Sequence, residues 1–515
     1  MPFSHPAFVA VAAWLAWVGI ERAIGDDRRG KEASIESGLV IGAIALTAYV
    51  AVIAWYALQP VYFDPAEPTI TAVSSVFGAG KPLYPALDAP ERYAHIYGPD
   101  LFIIHAAAMK VLGARVVVSK AVGALAALAS LVLAYAAFVS VAGRRAAFVA
   151  IGVCAAVYLA FGNITFWTRP EPLLMLCAAA ALYGVASGKR MTPIWLVAVV
   201  AGVSLNLKFS GPLYILPALG AVVARRHRRD WIAMAAIFIV FAIAPFLMSR
   251  VSAAHYFQYI QLSARNGLMM ARLRQNVEWA LVLAAPVMAG AVAGRGGGPG
   301  RRIDPFNVLL TFSIVVVVIV AAKPGAGPYH LLPALPLLAY GALRLPVRAW
   351  DAVANRAMAA AVVITACVFA VQKQSTFIRT VRSSDVADAT SDARTFIDGH
   401  PSASIGVGYA GTSRWADARV EAVFRTHDYW LDAPAIQEHR LAGLAIPASA
   451  IGALEKCRTR YWLIPIAGDP FVVPSAYWPD VGPPRVFSDD FVEAFLRSYA
   501  RVGETRYFSV WECRR

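Results

Sequence analysis

Charge is scarce in this sequence. Asp, Glu, Lys and Arg make up 15% of its 515 residues, while apolar residues reach 59%. An average soluble chain carries about 25% charged residues. A water-soluble fold of this length could not hide so much apolar surface, so a bilayer is the solvent that fits. Cysteine is sparse too: the five residues show no metal-ligand spacing. Cys154, Cys177 and Cys367 fall in apolar stretches and read as small core residues. Cys457 and Cys513 lie in the polar C-terminal part and would be able to pair in an oxidising compartment. The glycine-rich stretch Arg295 to Arg301 lacks the Gly-Lys-Ser/Thr ending and the preceding strand of a phosphate cradle, so it reads as a flexible connector.

Acidic residues are outnumbered, 32 against 47 Lys and Arg, for a net charge of +15. The basic residues do not line one amphipathic face. They sit in short runs between apolar segments, as in Arg225-Arg226-His227-Arg228-Arg229. Such runs are topology signals that contact anionic lipid, and no nucleic-acid partner is expected.

Apolar stretches recur at 37–58, 121–142, 146–168, 172–188, 191–207, 209–224, 231–249, 279–294, 305–322, 324–343 and 357–372. A span takes about 20 residues, so several are clear spans and those near 16 residues are short. Residues 6–20 lack the basic region and small-residue cleavage site of a signal peptide and read as a twelfth span. One set of alternating loops holds 18 Lys and Arg and the opposite set 7. The richer set is expected in the cytoplasm. The loop 59–115 and the tail 373–515 then face the periplasm of a Gram-negative cell. The expected fold is an all-α polytopic inner-membrane protein of about 11–12 transmembrane helices. It has a large periplasmic first loop and a small C-terminal α/β periplasmic domain, divided as 1–372 and 373–515.

The loop 59–115 is too long and too varied for a plain connector. Asp64 follows the first clear span by six residues, and residues 66–79 and 100–113 read as short helices along the interface. In the tail, Asp385 to Asp398 has helical spacing, while Ser404–Tyr409, Tyr461–Ile466 and Arg506–Glu512 read as strands.

Six short elements, in order, carry a resemblance: Asp64 with Glu67; Gly80-Lys81-Pro82-Leu83-Tyr84-Pro85; Tyr97-Gly98-Pro99-Asp100-Leu101; Arg169-Pro170-Glu171; Leu207-Lys208-Phe209-Ser210-Gly211; and Tyr329-His330-Leu331-Leu332-Pro333 with Pro336. Over residues 37–345 the chain resembles bacterial GT-C superfamily membrane glycosyltransferases, close to the protein O-mannosyltransferase and lipid A aminoarabinose transferase group. It departs from that group in having Gly98-Pro99 where two prolines are common, and in separating its acids by Pro65-Ala66. The tail matches no module of that group.

The resemblance implies transfer of a sugar, with inversion, from a polyprenyl-phosphate donor to a periplasmic acceptor (glycolipid, glycan or protein), alongside contacts with membrane lipids. Such transfer needs a base for the acceptor hydroxyl and cations for the departing phosphate. Asp64 suits the base, with Glu67 as its partner. Lys208, Arg169, Arg265, Arg272 and Lys323 suit the phosphate, with Arg274 as a further cation. Tyr84, Tyr97, Glu171, Tyr329 and His330 would line a substrate pocket. Asp64, Glu67 and His330 would be able to join a divalent metal, although no spacing demands one.

Each residue has a plainer reading. Asp64 and Glu67 suit the start of a helix. Arg169 with Glu171 suits a rim ion pair, and Lys208 a snorkelling lysine. His330 suits a polar core residue, and the tyrosines an interfacial belt. At the level of function the rivals are a flippase or transporter of lipid-linked sugar and an envelope assembly or sensor protein.

Overall fold

The computed structural model describes residues 5–7, 9–15, 28–93, 96–187, 192–224, 228–293, 304–345, 353–475 and 484–514. The glycine-rich stretch, residues 225–227 of the basic run, the 189–190 loop and residues 16–20 of the first expected span lie outside them. The chain is mostly helical and forms two compact units, each assembled from separated segments. The first comprises Met1–Ala57, Gly123–Ala242 and Leu268–Arg379, the second Leu58–Val122, Ile243–Gly267 and Thr380–Arg515.

The first unit is built from apolar helices. Among the described residues four helical segments are long and apolar enough to cross a membrane, Glu36–Ala57, Val116–Ala160, Arg229–Leu247 and Arg356–Asp398, the last joining the helix Val353–Arg382 to Val386–Asp398 of the second unit. Shorter apolar helices cover Pro170–Ala186, Pro193–Leu207 and Pro305–Val320. These segments present apolar side chains outward, including Ile44 (65% exposed), Leu125 (66%) and Ile232 (65%), a surface that lipid can cover and water cannot. The 45-residue helix breaks at Gly143, whose φ of 75° interrupts it, between the two spans expected at 121–142 and 146–168. A Cβ on Gly152 would sit 2.3 Å from the Gly42 Cα, so two glycines let these helices approach backbone to backbone. Cys154 and Cys177 are buried, as small core residues should be.

Two expected spans are not uniform helices. The stretch 209–224 starts with a 3-10 turn, Gly211–Tyr214, followed by the short helix Leu216–Val223. The stretch 324–343 starts with the 3-10 segment Pro328–Ala334 followed by Leu335–Leu343. Prolines 212, 217, 328, 333 and 336 remove backbone donors at these places and end α-helical continuity. The extent of apolar sequence was legible, while its interruption depended on where the prolines fell.

In the second unit, α1 (Ala66–Gly78) and α2 (Pro99–Leu112) carry the loop, close to the two helices expected there. The tail contributes α3 (Val386–Asp398), β1 (Ile405–Val407), α4 (Arg419–Thr426), α5 (Ala433–Leu441), α6 (Ala448–Glu455), β2 (Tyr461–Pro465), α7 (Asp489–Ser498), β3 (Tyr499–Glu504) and β4 (Phe508–Cys513). The strands form one sheet in the order β1-β2-β4-β3, with β1 parallel to β2 and the other pairs antiparallel. Alternation along β2 sends Trp462 and Ile464 into an aromatic core with Phe471, Phe487 and Phe495, and Leu463 to the opposite core with Ala389 and Ile397. Cys457 and Cys513 are disulfide-bonded, closing a chain separation of 56 residues.

The loop and the tail are sewn together although they are distant in sequence. Arg92 donates its amide to Trp430 O at 2.6 Å and accepts from the Asp432 amide at 3.0 Å. Arg458 bonds Glu91 at 2.7 Å, and Val420 packs with Tyr62 and Val116.

Candidate active site

Within the first unit, three of the motif elements converge. Arg169 is the extended residue before the helix Pro170–Ala186, with Pro170 at its first position and Glu171 in its first turn, an arrangement that proline's fixed φ favours. Glu171 is 1% exposed. Its Oε1 accepts from Lys208 Nζ at 3.0 Å, and its Oε2 lies 3.6 Å from Arg169 Nε. The His330 imidazole is 3.4 Å from Lys208 Nζ, and the His330 carbonyl accepts from Tyr214 Oη at 2.7 Å.

Arg169 lies over the Trp167 ring, 4.2 Å from its centroid, and donates to Tyr329 Oη at 3.4 Å. Lys208 is held where the helix Thr192–Leu207 ends, because Lys208 N bonds Ser204 O and Gly211 N bonds Lys208 O. A side chain at 211 would run into Ser204 O, so the Lys-Phe-Ser-Gly element needs its glycine. Two cations thus face one buried carboxylate, beside an imidazole and a tyrosine. A buried charge needs a partner, and the carboxylate supplies one while fixing both cations in place.

The other predicted cations sit elsewhere. Arg265 is exposed at the end of the helix Ala253–Ala264 in the second unit. Arg272 and Arg274 are exposed in the first unit and bond Gln275 and Glu278 of their own helix. Lys323, half-buried, opens the turn that leads to Gly325, whose carbonyl accepts from Tyr329 Oη.

The acid pair belongs to the second unit. The Asp64 carboxylate accepts from the Ala66 amide at 2.9 Å and the Asp64 carbonyl from the Glu67 amide at 3.3 Å, so Asp64 does start α1. Glu67 is fully buried in its first turn. The helix also buries Thr69, Thr71, Ser74 and Ser75, an unusual polar load for 13 residues. Each such group needs a partner. Thr71 joins a chain from Tyr62 through Ser119 to His105 Nδ1, at 2.5, 2.7 and 3.2 Å. Burial drives the His105 pKa down to about 3 and the Asp100 carboxyl up to about 7.

Thr69 enters a second network centred on Arg419, which is 2% exposed. The guanidinium donates to Pro65 O and Thr69 Oγ1, both at 2.9 Å, and to Asp417 Oδ1 at 3.0 Å. Asp432, fully buried, accepts from Thr69 at 2.8 Å and from Tyr409 at 3.3 Å, and its other oxygen caps α5 at Ala435. A residue of the tail therefore grips the carbonyl that lies between the two acids.

Tyr84 and Tyr97 are brought together, with the Tyr84 hydroxyl donating to Tyr97 O at 2.7 Å while its ring packs on Tyr256. Lys120, fully buried, donates to Gln59 O and Val61 O at 3.1 and 2.6 Å and lies within electrostatic reach of Glu67. Sequence reasoning missed Lys120, Arg419, Asp417 and Asp432. The signal for Lys120 was a lone cation just before a long apolar run; Arg419 and Asp432 had none, because Pro65 and Thr69 reach them from more than 350 residues away, and Asp417 beside Arg419 reads as an ordinary surface pair. Among the described residues no group of three or more His, Cys, Asp or Glu is placed to hold a metal ion.

No protein-family model and no curated protein matches the sequence. Solved structures do share its fold. ArnT from Cupriavidus metallidurans bound to undecaprenyl phosphate superposes with a TM-score of 0.53 at 12% identity, over 92% of this chain and 97% of that one. The apo state of ArnT gives 0.51 at 11% identity, over 93% and 98%. The fold of this chain is thus the fold seen in ArnT, shared over nearly the full length of both proteins.

Proposed function

We propose that this chain is a GT-C type glycosyltransferase that moves a sugar from a polyprenyl-phosphate donor to a periplasmic acceptor with inversion. The observation that carries this reading is the buried Arg169–Glu171–Lys208–His330 cluster, in which two fixed cations suit a phosphate. The likeness to ArnT, solved with undecaprenyl phosphate, supports a lipid phosphate as the anion. In the proposed step the acceptor hydroxyl oxygen attacks the anomeric carbon and Asp64 takes its proton. The carbon–oxygen bond to phosphate breaks, and polyprenyl phosphate leaves with the electron pair. Lys208 and Arg169 oppose the charge growing on that phosphate, and Glu171 holds them in position.

The same reading has 1–372 as the catalytic transmembrane domain of about 11–12 spans and 373–515 as a periplasmic domain. The uneven loop charge supports this orientation in a bacterial inner membrane, and so does the Cys457–Cys513 disulfide, since disulfides persist in oxidising compartments. The reaction is written without a metal; Asp64 and Glu67 are the oxygen ligands that would serve if a divalent ion took part.

The test is reconstitution in liposomes with a panel of polyprenyl-phosphate sugars and a cell-envelope extract as acceptor, following release of polyprenyl phosphate. Release with one donor class is expected. Absence of release with every donor would overturn the reading in favour of transport or assembly.

A further inference from the structure

A cavity of about 350 Å³ opens within the second unit, walled by Phe63, Pro65, Tyr409, Arg414, Asp417 and Gln437 among others. Two of these residues flank Asp64 in sequence, and the Asp64 charge acts on the Asp417 carboxyl. The remaining wall comes from the tail, chiefly the loop that follows β1 and the start of α5.

Asp417 is 7% exposed. Its Oδ1 is taken by Arg419 at 3.0 Å. Its Oδ2 is buried with no hydrogen bond, and Arg414 Nη2 stands 3.5 Å away, likewise without one. The two form an ion pair with each other but no hydrogen bond, so each keeps a hydrogen-bonding capacity that a ligand in the cavity would use. Burial raises the Asp417 pKa against the pull of Arg419 and Arg414.

We propose that this cavity receives the hydroxyl-bearing end of the acceptor, and that the ligand is a sugar residue rather than a peptide. The carboxylate oxygen accepts from one hydroxyl and the guanidinium beside it donates to the neighbouring one, which matches a vicinal diol. Tyr409, Phe63 and the prolines offer apolar faces for the ring carbons. None of the residues that line the cavity belongs to β1–β4, so it offers no strand edge of the kind that an extended peptide would pair with. The proposal rests on the transferase reading above, and under it the tail presents a glycan hydroxyl beside Asp64.

The full-length protein in detergent, with no donor, is titrated with methyl glycosides of a hexose, a hexosamine and a heptose, followed by saturation-transfer NMR. One class should bind. Thr412→Trp, at the exposed rim, and Arg414→Gln should each weaken it by about tenfold or more, the loss of a charged hydrogen bond or of access. Thr412→Trp leaves the Asp417 ion pairs with Arg419 and Arg414 in place, and a melting curve for Arg414→Gln separates lost binding from lost fold. Binding of no glycoside, binding unchanged by Thr412→Trp, or capture of a Ser/Thr peptide instead would overturn the proposal. Glycoside binding that obeys the variants without turnover of any donor would sustain the pocket and sink the transferase reading.

Discussion

The two units each bury a charged network, and the networks have opposite character. In the first, Arg169 and Lys208 surround a single carboxylate, Glu171, with an imidazole alongside. In the second, Asp417 and Asp432 lie against the cation Arg419, hydroxyls of Thr69 and Tyr429 bond it, Tyr409 bonds Asp432, and the Asp64 charge acts on Asp417. Under the proposed transferase reading, the first would meet the incoming anion and the second the group that gives up its proton. A transferase needs both. The contrast also shows how differently they are stabilised: the first through ion pairs along neighbouring helices, the second through hydrogen bonds that tie the tail to the start of α1.

The contrast is sharpest at Asp64. Asp64→Asn is expected to lower turnover by about 10²–10⁴-fold, the usual worth of a general base, at unchanged membrane expression; unchanged release of polyprenyl phosphate would remove Asp64 from that role. Next come the buried ion networks. Arg419→Met strips Pro65 O, Thr69 and Asp417 of their donor and should cost about 3–5 kcal/mol of stability, read as a lower melting temperature. Glu171→Gln should lower stability in the same way, and Glu171→Gln with Lys208→Met should recover part of the loss, because Lys208 is then no longer a stranded charge while Arg169 still lacks its carboxylate.

The disulfide is third. Reduction, or Cys457→Ser, should cost about 4 kcal/mol by loop-closure entropy, with the tail's near-ultraviolet signal lost first. The smallest effect concerns Asp100. Burial raises its folded pKa to about 7, so the folded state holds this proton more tightly than the unfolded chain does. That contribution is complete below the ordinary carboxyl range and fades as pH rises through 7. The melting temperature of the wild type should therefore fall relative to Asp100→Asn between pH 5 and 8. Parallel curves would rule this out.

Much of the first network was legible in the sequence. Arg169, Glu171, Lys208 and His330 each stand within a short local pattern, and charges at the ends of apolar stretches stand out. The helix opening at Asp64-Pro65 was legible for the same reason: capping is a local property. Arg419 was invisible, because a lone arginine in a polar tail is indistinguishable from a solvated one until the fold delivers Pro65 and Thr69 to it. β3 escaped as well. Tyr499–Glu504 has little alternation, and it pairs with β4 across an irregular register at Arg501 and Gly503, so its partner defines it more than its own residues do.

The division of labour between the two networks can be read from binding alone. Labelled polyprenyl phosphate is titrated against the reconstituted wild type, Lys208→Ala and Asp64→Asn. Lys208→Ala is expected to weaken binding by about tenfold or more, equal to about 1.4 kcal/mol, while Asp64→Asn binds as the wild type does. Unaltered binding by Lys208→Ala, or equal loss in both variants, would refute that division.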